Sequence, residues 1–133
     1  MTAKPTVAQR PLSPFMLGQY YRLQLTSVLS FAHRLTGLAL AFGTLFLAAW
    51  VLSAAAGPVA FGEFSGYARS PLGLILLLGW SWSLLYHLCN GVRHLVWDMG
   101  YAFTMKSVYT GGWIVVVGSF LLTAAVWALA YLL

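Results

Sequence analysis

Three apolar runs, each able to supply the ~20 residues needed to cross a hydrocarbon core, constrain this 133-residue chain more than anything else in it. The first covers residues 25–56, continuously apolar from Leu35; the second covers 71–97 and the third 113–133. Lipid offers the backbone no hydrogen-bond partner, so a crossing segment must pair its own N–H and C=O groups, as a helix does. The expected fold is an all-α membrane protein with three transmembrane helices. Composition removes the other classes: 61% of residues are hydrophobic and 7% charged. A soluble domain carries roughly a quarter charged residues, and a disordered chain has far less apolar surface.

The connections are brief. Gly57-Pro58 breaks the first run, a short loop carries Glu63 and Arg69, and Pro71 suits the first turn of the second run. Residues 98–110 read as a polar connection containing Lys106. Residues 1–24 hold Lys4, Arg10, Arg22 and three of the five prolines, with neither a signal-peptide pattern nor an amphipathic transit pattern. They read as a mostly extended arm ahead of the anchor domain at 25–133. Cys89 is the single cysteine, so no intrachain disulfide is expected; inside an apolar stretch it reads as a small core residue.

The formal charge of +5 records topology rather than nucleic-acid binding, because the basic residues stand singly among apolar runs. Lys4, Arg10, Arg22 and Arg34 precede or open the first span, and Arg93 and Lys106 flank the second link. The first link offers only Arg69, offset by Glu63. The positive-inside rule then puts the N-terminus and second link in the cytoplasm and the C-terminus in the periplasm. The expected location is a bacterial inner membrane. No internal repeat is evident, which argues against a self-contained rocking transporter, and both acidic residues, Glu63 and Asp98, sit at span ends, which argues against a small oligomeric one.

Chemistry resides in the polar residues inside the spans. At 100° per residue, Trp80, Ser83, His87, Asn90, Gly91, His94 and Asp98 fall on one face of the second span, with Arg93 outside it. Ser30, His33, Arg34, Gly37, Ala41 and Thr44 share a narrow face of the first. Ionisable groups at membrane depth are costly and mark bundle interiors and sites, so two such stripes imply a shared polar pocket. A rise of about 1.5 Å per residue puts His94 about 10 Å nearer the cytoplasmic surface than His87. His87 is then the buried member, beneath a collar of His33, Arg34, Arg93 and His94.

A buried imidazole below a cationic collar suits haem, whose iron takes an axial nitrogen and whose propionates need cations. Gly91, one turn from His87, would let a flat ring approach the backbone. An intramembrane histidine also serves simply as a hydrogen-bonding partner between helices, and Gly37 with Ala41 as a packing contact. Ser30 and Arg34, one turn apart, could hydrogen-bond a quinone carbonyl and stabilise charge developing on it. Equally, they could be a capping serine and a snorkelling arginine. Trp50, Trp97, Trp113, Tyr20, Tyr21 and Tyr101 mostly lie at span ends and fit an interfacial belt, whereas Trp80 and Trp127 lie deeper, as packing.

The run His87-Leu-Cys-Asn-Gly91-Val-Arg93-His94-Leu-Val-Trp97-Asp98-Met-Gly100 resembles the second signature of the cytochrome b subunit family of succinate dehydrogenase, the larger membrane anchor of respiratory complex II. Arg10-Pro11-Leu12-Ser13-Pro14, followed by Ser30-Phe-Ala-His33-Arg34-Leu-Thr36-Gly37, resembles its first. The resemblance covers nearly the whole chain, weakly in the third span. The segment from Met16 to Tyr21 is slightly longer than the family pattern, which bears only on the path of the arm. The resemblance implies that His87 is an axial ligand of haem b, the other axial histidine coming from a second small membrane anchor subunit. It further implies that His33 and Arg34 lie near the propionates, with His94 in support. Ser30 and Arg34 would line a ubiquinone pocket completed by the iron–sulfur subunit and the second anchor, with Asp98 close by. Electrons would arrive from a flavoprotein subunit through that iron–sulfur subunit. One cysteine holds no iron–sulfur cluster, and this chain has no Gly-rich phosphate loop, so no flavin or succinate site is expected in it. A fumarate reductase anchor and a purely structural, haem-free anchor are the alternative expectations.

Overall fold

A computed structural model describes residues 21–133, in which four helices follow one another: α1 (Leu25–Ala56), α2 (Pro58–Ala68), α3 (Pro71–Asp98) and α4 (Met105–Leu132). The arm expected over 1–24 lies outside the described residues up to position 20. Three helices, α1, α3 and α4, are long and apolar enough to cross a membrane. At 32, 28 and 28 residues they exceed the ~20 that a hydrocarbon core requires.

Local signals explain the boundaries. Gly57 sits at φ +112°, a conformation that side chains rarely adopt, and this turn separates α1 from α2. Pro58 and Pro71 each occupy the first turn of a helix, where the missing N–H costs nothing. Ser70 caps α3 by accepting from the Gly73 amide at 3.1 Å, and Thr104 caps α4 by accepting from the Ser107 amide at 3.2 Å.

Two sequence expectations need correcting here. The link between the first two spans is not a plain loop but the 11-residue helix α2. Gly57-Pro58 ends one helix and starts the next, so the same dipeptide that reads as a break is also an initiation signal. The third span begins at Met105 rather than 113. Lys106, Ser107 and Thr110 make its first turns polar, which suits a helix emerging from the apolar layer but hides it from a hydropathy reading.

α3 runs antiparallel to both α1 and α4. Along α1, Thr36 meets His87 and Gly43 meets Trp80; along α4, Val108 meets Arg93 and Trp127 meets Ser81. The buried apolar core is small: Leu29, Tyr86 and Val115. Around it lie the buried polar residues Thr36, Ser83, Asn90, Arg93, Ser119 and Thr123. Most large apolar side chains, among them Phe31, Leu38, Phe42, Leu76, Leu95 and Phe120, face outward. Polar inside and apolar outside is the distribution expected where the solvent is lipid.

Candidate functional site

The site begins where α1 and α3 cross near His87. Its Nδ1 lies 3.2 Å from the backbone oxygen of His33 and 3.2 Å from Oγ1 of Thr36. The His33 oxygen can only accept. The Thr36 hydroxyl is within reach of the Ala32 and His33 carbonyls, at 2.9 and 3.0 Å, and uses its single proton there. Both neighbours of Nδ1 therefore accept, and the ring carries its proton on Nδ1. Nε2 keeps its lone pair, the state a metal requires, with the opposite nitrogen tied to a carbonyl as metal-binding histidines commonly are.

Packing fixes the ring as firmly as the hydrogen bonds do. The His33 imidazole stacks on it, centroids 3.8 Å apart and planes 12° apart. On α1, a Cβ added at Gly37 would come within 3.1 Å of the His87 Cε1, so this glycine makes room for the imidazole. A Cβ added at Gly91 would meet nothing within 4 Å, leaving open space one turn along α3. One turn the other way, an apolar cavity of about 650 Å³ opens between α1 and α3, with Ala39, Gly43, Trp80 and Ser83 in its wall. A lone-pair nitrogen, a glycine that leaves its flank open and an adjacent apolar space together fit a haem.

The histidines form one group. His94 stands 5.3 Å from His33, ring to ring, and lies edge-on to Trp97 at 5.2 Å. Nδ1 of His33 is buried without a hydrogen-bond partner in the chain, a donor or acceptor position available to something the chain itself does not supply.

Two members expected in the collar point elsewhere. Arg93, 9% exposed, turns toward α4, donating to the Val108 carbonyl at 3.0 Å with its guanidinium 4.1 Å from the Trp97 ring. It is not part of a ring of cations above His87. Arg34 follows His33 by 100° around α1 and is exposed, donating to Ser30 Oγ at 3.4 Å. These two line a depression of about 370 Å³ together with Thr26, Ser27 and Phe31. Along the α1 stripe, His33 and Gly37 thus contact His87 of α3, whereas Ser30 and Arg34 line this separate depression. Ala41 and Thr44 are exposed and belong to neither, and Asp98 closes α3 with an exposed side chain.

Thr36 is the contact that sequence reasoning missed. Its signal was present, since it lies one turn from His33 within the first motif, but a threonine in a helix bonding back to its own backbone is unremarkable until its neighbour across the helix pair is known.

Comparison with known proteins identifies the family. A family model described as succinate dehydrogenase/fumarate reductase transmembrane subunit matches residues 6–126. The succinate dehydrogenase cytochrome b556 subunit of Rickettsia felis is 42% identical over 119 residues, covering 90% of this chain and 91% of its own. That of Paracoccus denitrificans is 39% identical over 113 residues, covering 85% of each chain. The cytochrome b560 subunit of Reclinomonas americana is 37% identical over 127 residues, covering 89% of this chain and 84% of its own. With three spans of the required length and a match across nearly all of it, the chain belongs to the succinate dehydrogenase/fumarate reductase transmembrane subunit family, as a cytochrome b membrane subunit of an enzyme complex in the inner membrane.

Proposed function

We propose that this chain anchors a succinate:quinone oxidoreductase, supplies one axial ligand to haem b through Nε2 of His87, and forms part of a ubiquinone site with Ser30 and Arg34. The observation that carries the reading is the fixed state of His87, whose Nδ1 proton is held by the His33 carbonyl and the Thr36 hydroxyl. The orphaned Nδ1 of His33 and the nearby His94 are the polar groups for the haem carboxylates, with Arg34 adding charge at the rim and Gly91 leaving room for the flat ring. Haem bound there would supply a one-electron redox centre.

Ser30 and Arg34 act on substrate. A hydroxyl and a guanidinium 3.4 Å apart present donors to one carbonyl oxygen of a quinone, orient its head group and stabilise negative charge on that oxygen as it is reduced. Their depression opens outward, as a pocket completed by other subunits requires. Asp98, at the end of α3, supports the polar rim of that region. The partners are a flavoprotein subunit, an iron–sulfur subunit delivering electrons at the cytoplasmic face, and a second small anchor supplying the other axial histidine. The N-terminus lies in the cytoplasm and the C-terminus in the periplasm, in line with the distribution of basic residues.

The test is purification of the complex through a tag on this chain, with subunit masses and a reduced-minus-oxidised spectrum. Three partner subunits and a b-type spectrum are expected. His87→Ala should leave the subunits associated and remove the b-type absorbance; a His87→Ala complex with full haem would overturn the ligand assignment.

A further inference from the structure

Arg93 is the one strongly polar residue of its span outside the polar stripe, and it is nonetheless buried. Its partners define a direction. One amino group of the guanidinium donates to the Val108 carbonyl in the first turn of α4, at 3.0 Å, and the other to Oδ1 of Asn90, at 3.4 Å. The guanidinium also rests 4.1 Å from the Trp97 ring. A Cβ at Gly111 of α4 would come within 3.5 Å of its Nε, so a small residue accommodates it.

A guanidinium only donates, and it stays charged at any relevant pH. It therefore holds the amide oxygen of Asn90 toward itself. Asn90 is 1% exposed, with no water to turn to, so its NH₂ group faces the other way. There it meets Nε2 of His94 at 3.4 Å. An amide NH₂ only donates, so Nε2 must accept, and a neutral imidazole that accepts on Nε2 carries its proton on Nδ1. Amide and imidazole orientations are ordinarily ambiguous; here a fixed charge at one end of the chain resolves both.

We propose that Arg93 and Asn90 are positioning residues that set His94 as an Nδ1–H donor, tying a histidine of the site to the first turn of α4. The consequence for haem rests on the reading above, in which His94 supports the haem carboxylates: a donor there offsets their negative charge and favours the reduced iron. The relay itself depends only on this chain.

The experiment reads both on the purified complex carrying ring-¹⁵N histidine, with the His94 signals assigned by their loss in His94→Phe. Wild type should show His94 as a single Nδ1–H tautomer. In Arg93→Met the amide is free to turn, so an Nε2–H population should appear and the haem reduction equilibrium should move about tenfold toward the oxidised form, 59 mV for one electron. Arg93→Lys, which still donates to Oδ1, should restore both. In Arg93→Met/His94→Phe the potential should fall no further than in His94→Phe alone, since both substitutions remove one donor. Should Arg93→Met not assemble, Asn90→Asp provides the reading: a carboxylate has no proton to give, so the His94 proton should transfer to Nε2. An Nε2–H tautomer in wild type, an unchanged tautomer in the variants, or a changed tautomer with the potential of Arg93→Met unmoved would each overturn the proposal. A wild-type complex without a b-type spectrum would overturn the haem reading instead, and the tautomer measurements would still decide the relay.

Discussion

At the scale of single residues, the state of His87 depends on two small neighbours. Thr36→Val keeps the shape of the side chain but replaces the hydroxyl beside Nδ1 with a methyl, leaving the His33 carbonyl as the remaining acceptor. Loss of such a supporting group typically weakens metal binding 10–100-fold. Thr36→Val should therefore assemble with haem and lose it faster than wild type when challenged with a haem-scavenging apoprotein. Gly37→Val should behave differently, because its Cβ already stands 3.1 Å from the His87 ring and its two methyls would have to displace the imidazole. The haem-to-protein ratio should fall on purification, before any challenge. Farther along the same helix pair, a Cβ at Gly43 would collide with the Trp80 indole. Gly43→Ala should accordingly destabilise the α1–α3 contact by about 1–3 kcal/mol, in the range of overpacked cores, read as a lower melting temperature of the complex in detergent.

At the scale of elements, helix ends hold what hydropathy does not show. Thr104 and Ser70 each satisfy an otherwise unpaired amide at the start of a spanning helix. Thr104→Ala and Ser70→Ala should each cost ~1 kcal/mol, seen in the same melting measurement, with the haem spectrum unchanged. These caps also show why the spans were legible from sequence and their flanks were not. The apolar runs of α1 and α3 are uninterrupted, so residues 25–56 and 71–97 agree with the helices to within one residue. α4 starts eight residues before its apolar run because Lys106, Ser107 and Thr110 break the apolar pattern, although Thr104 and Ser107 already carry the capping signal. α2 is hard to see in the sequence because two of its 11 residues are glycines, which argue against a helix locally, while its first turn is set by Pro58. The site was legible to the same degree. Helical angle alone brings His87 and His94 to one face, but it cannot show that of His33 and Arg34, adjacent in sequence, the first packs against α3 and the second is exposed, because that depends on where α3 packs.

At the scale of the whole molecule, the haem and quinone readings fall on separate parts of the chain, as the two constellations in the sequence anticipate. His87 is fixed between helices by contacts internal to the chain, whereas Ser30 and Arg34 line a depression on the outside of the bundle. Substitutions at the outer pair should therefore leave the haem ligand undisturbed. A hydrogen bond to a charged partner contributes roughly 1.5–3 kcal/mol, so removing one from a reacting quinone should slow its reduction by about 10–100-fold. Ser30→Ala keeps the charge and Arg34→Gln removes it, so the larger loss is expected for Arg34→Gln. In both variants, succinate-driven reduction of ubiquinone should fall while succinate-driven reduction of a soluble dye, which bypasses the quinone, stays at the wild-type rate and the b-type spectrum keeps its amplitude. His87→Ala should give the complementary pattern, with its first effect on the spectrum. If Arg34→Gln instead removed haem while quinone reduction persisted, the guanidinium would belong to the haem site alone, and the outward depression would not be where quinone is held.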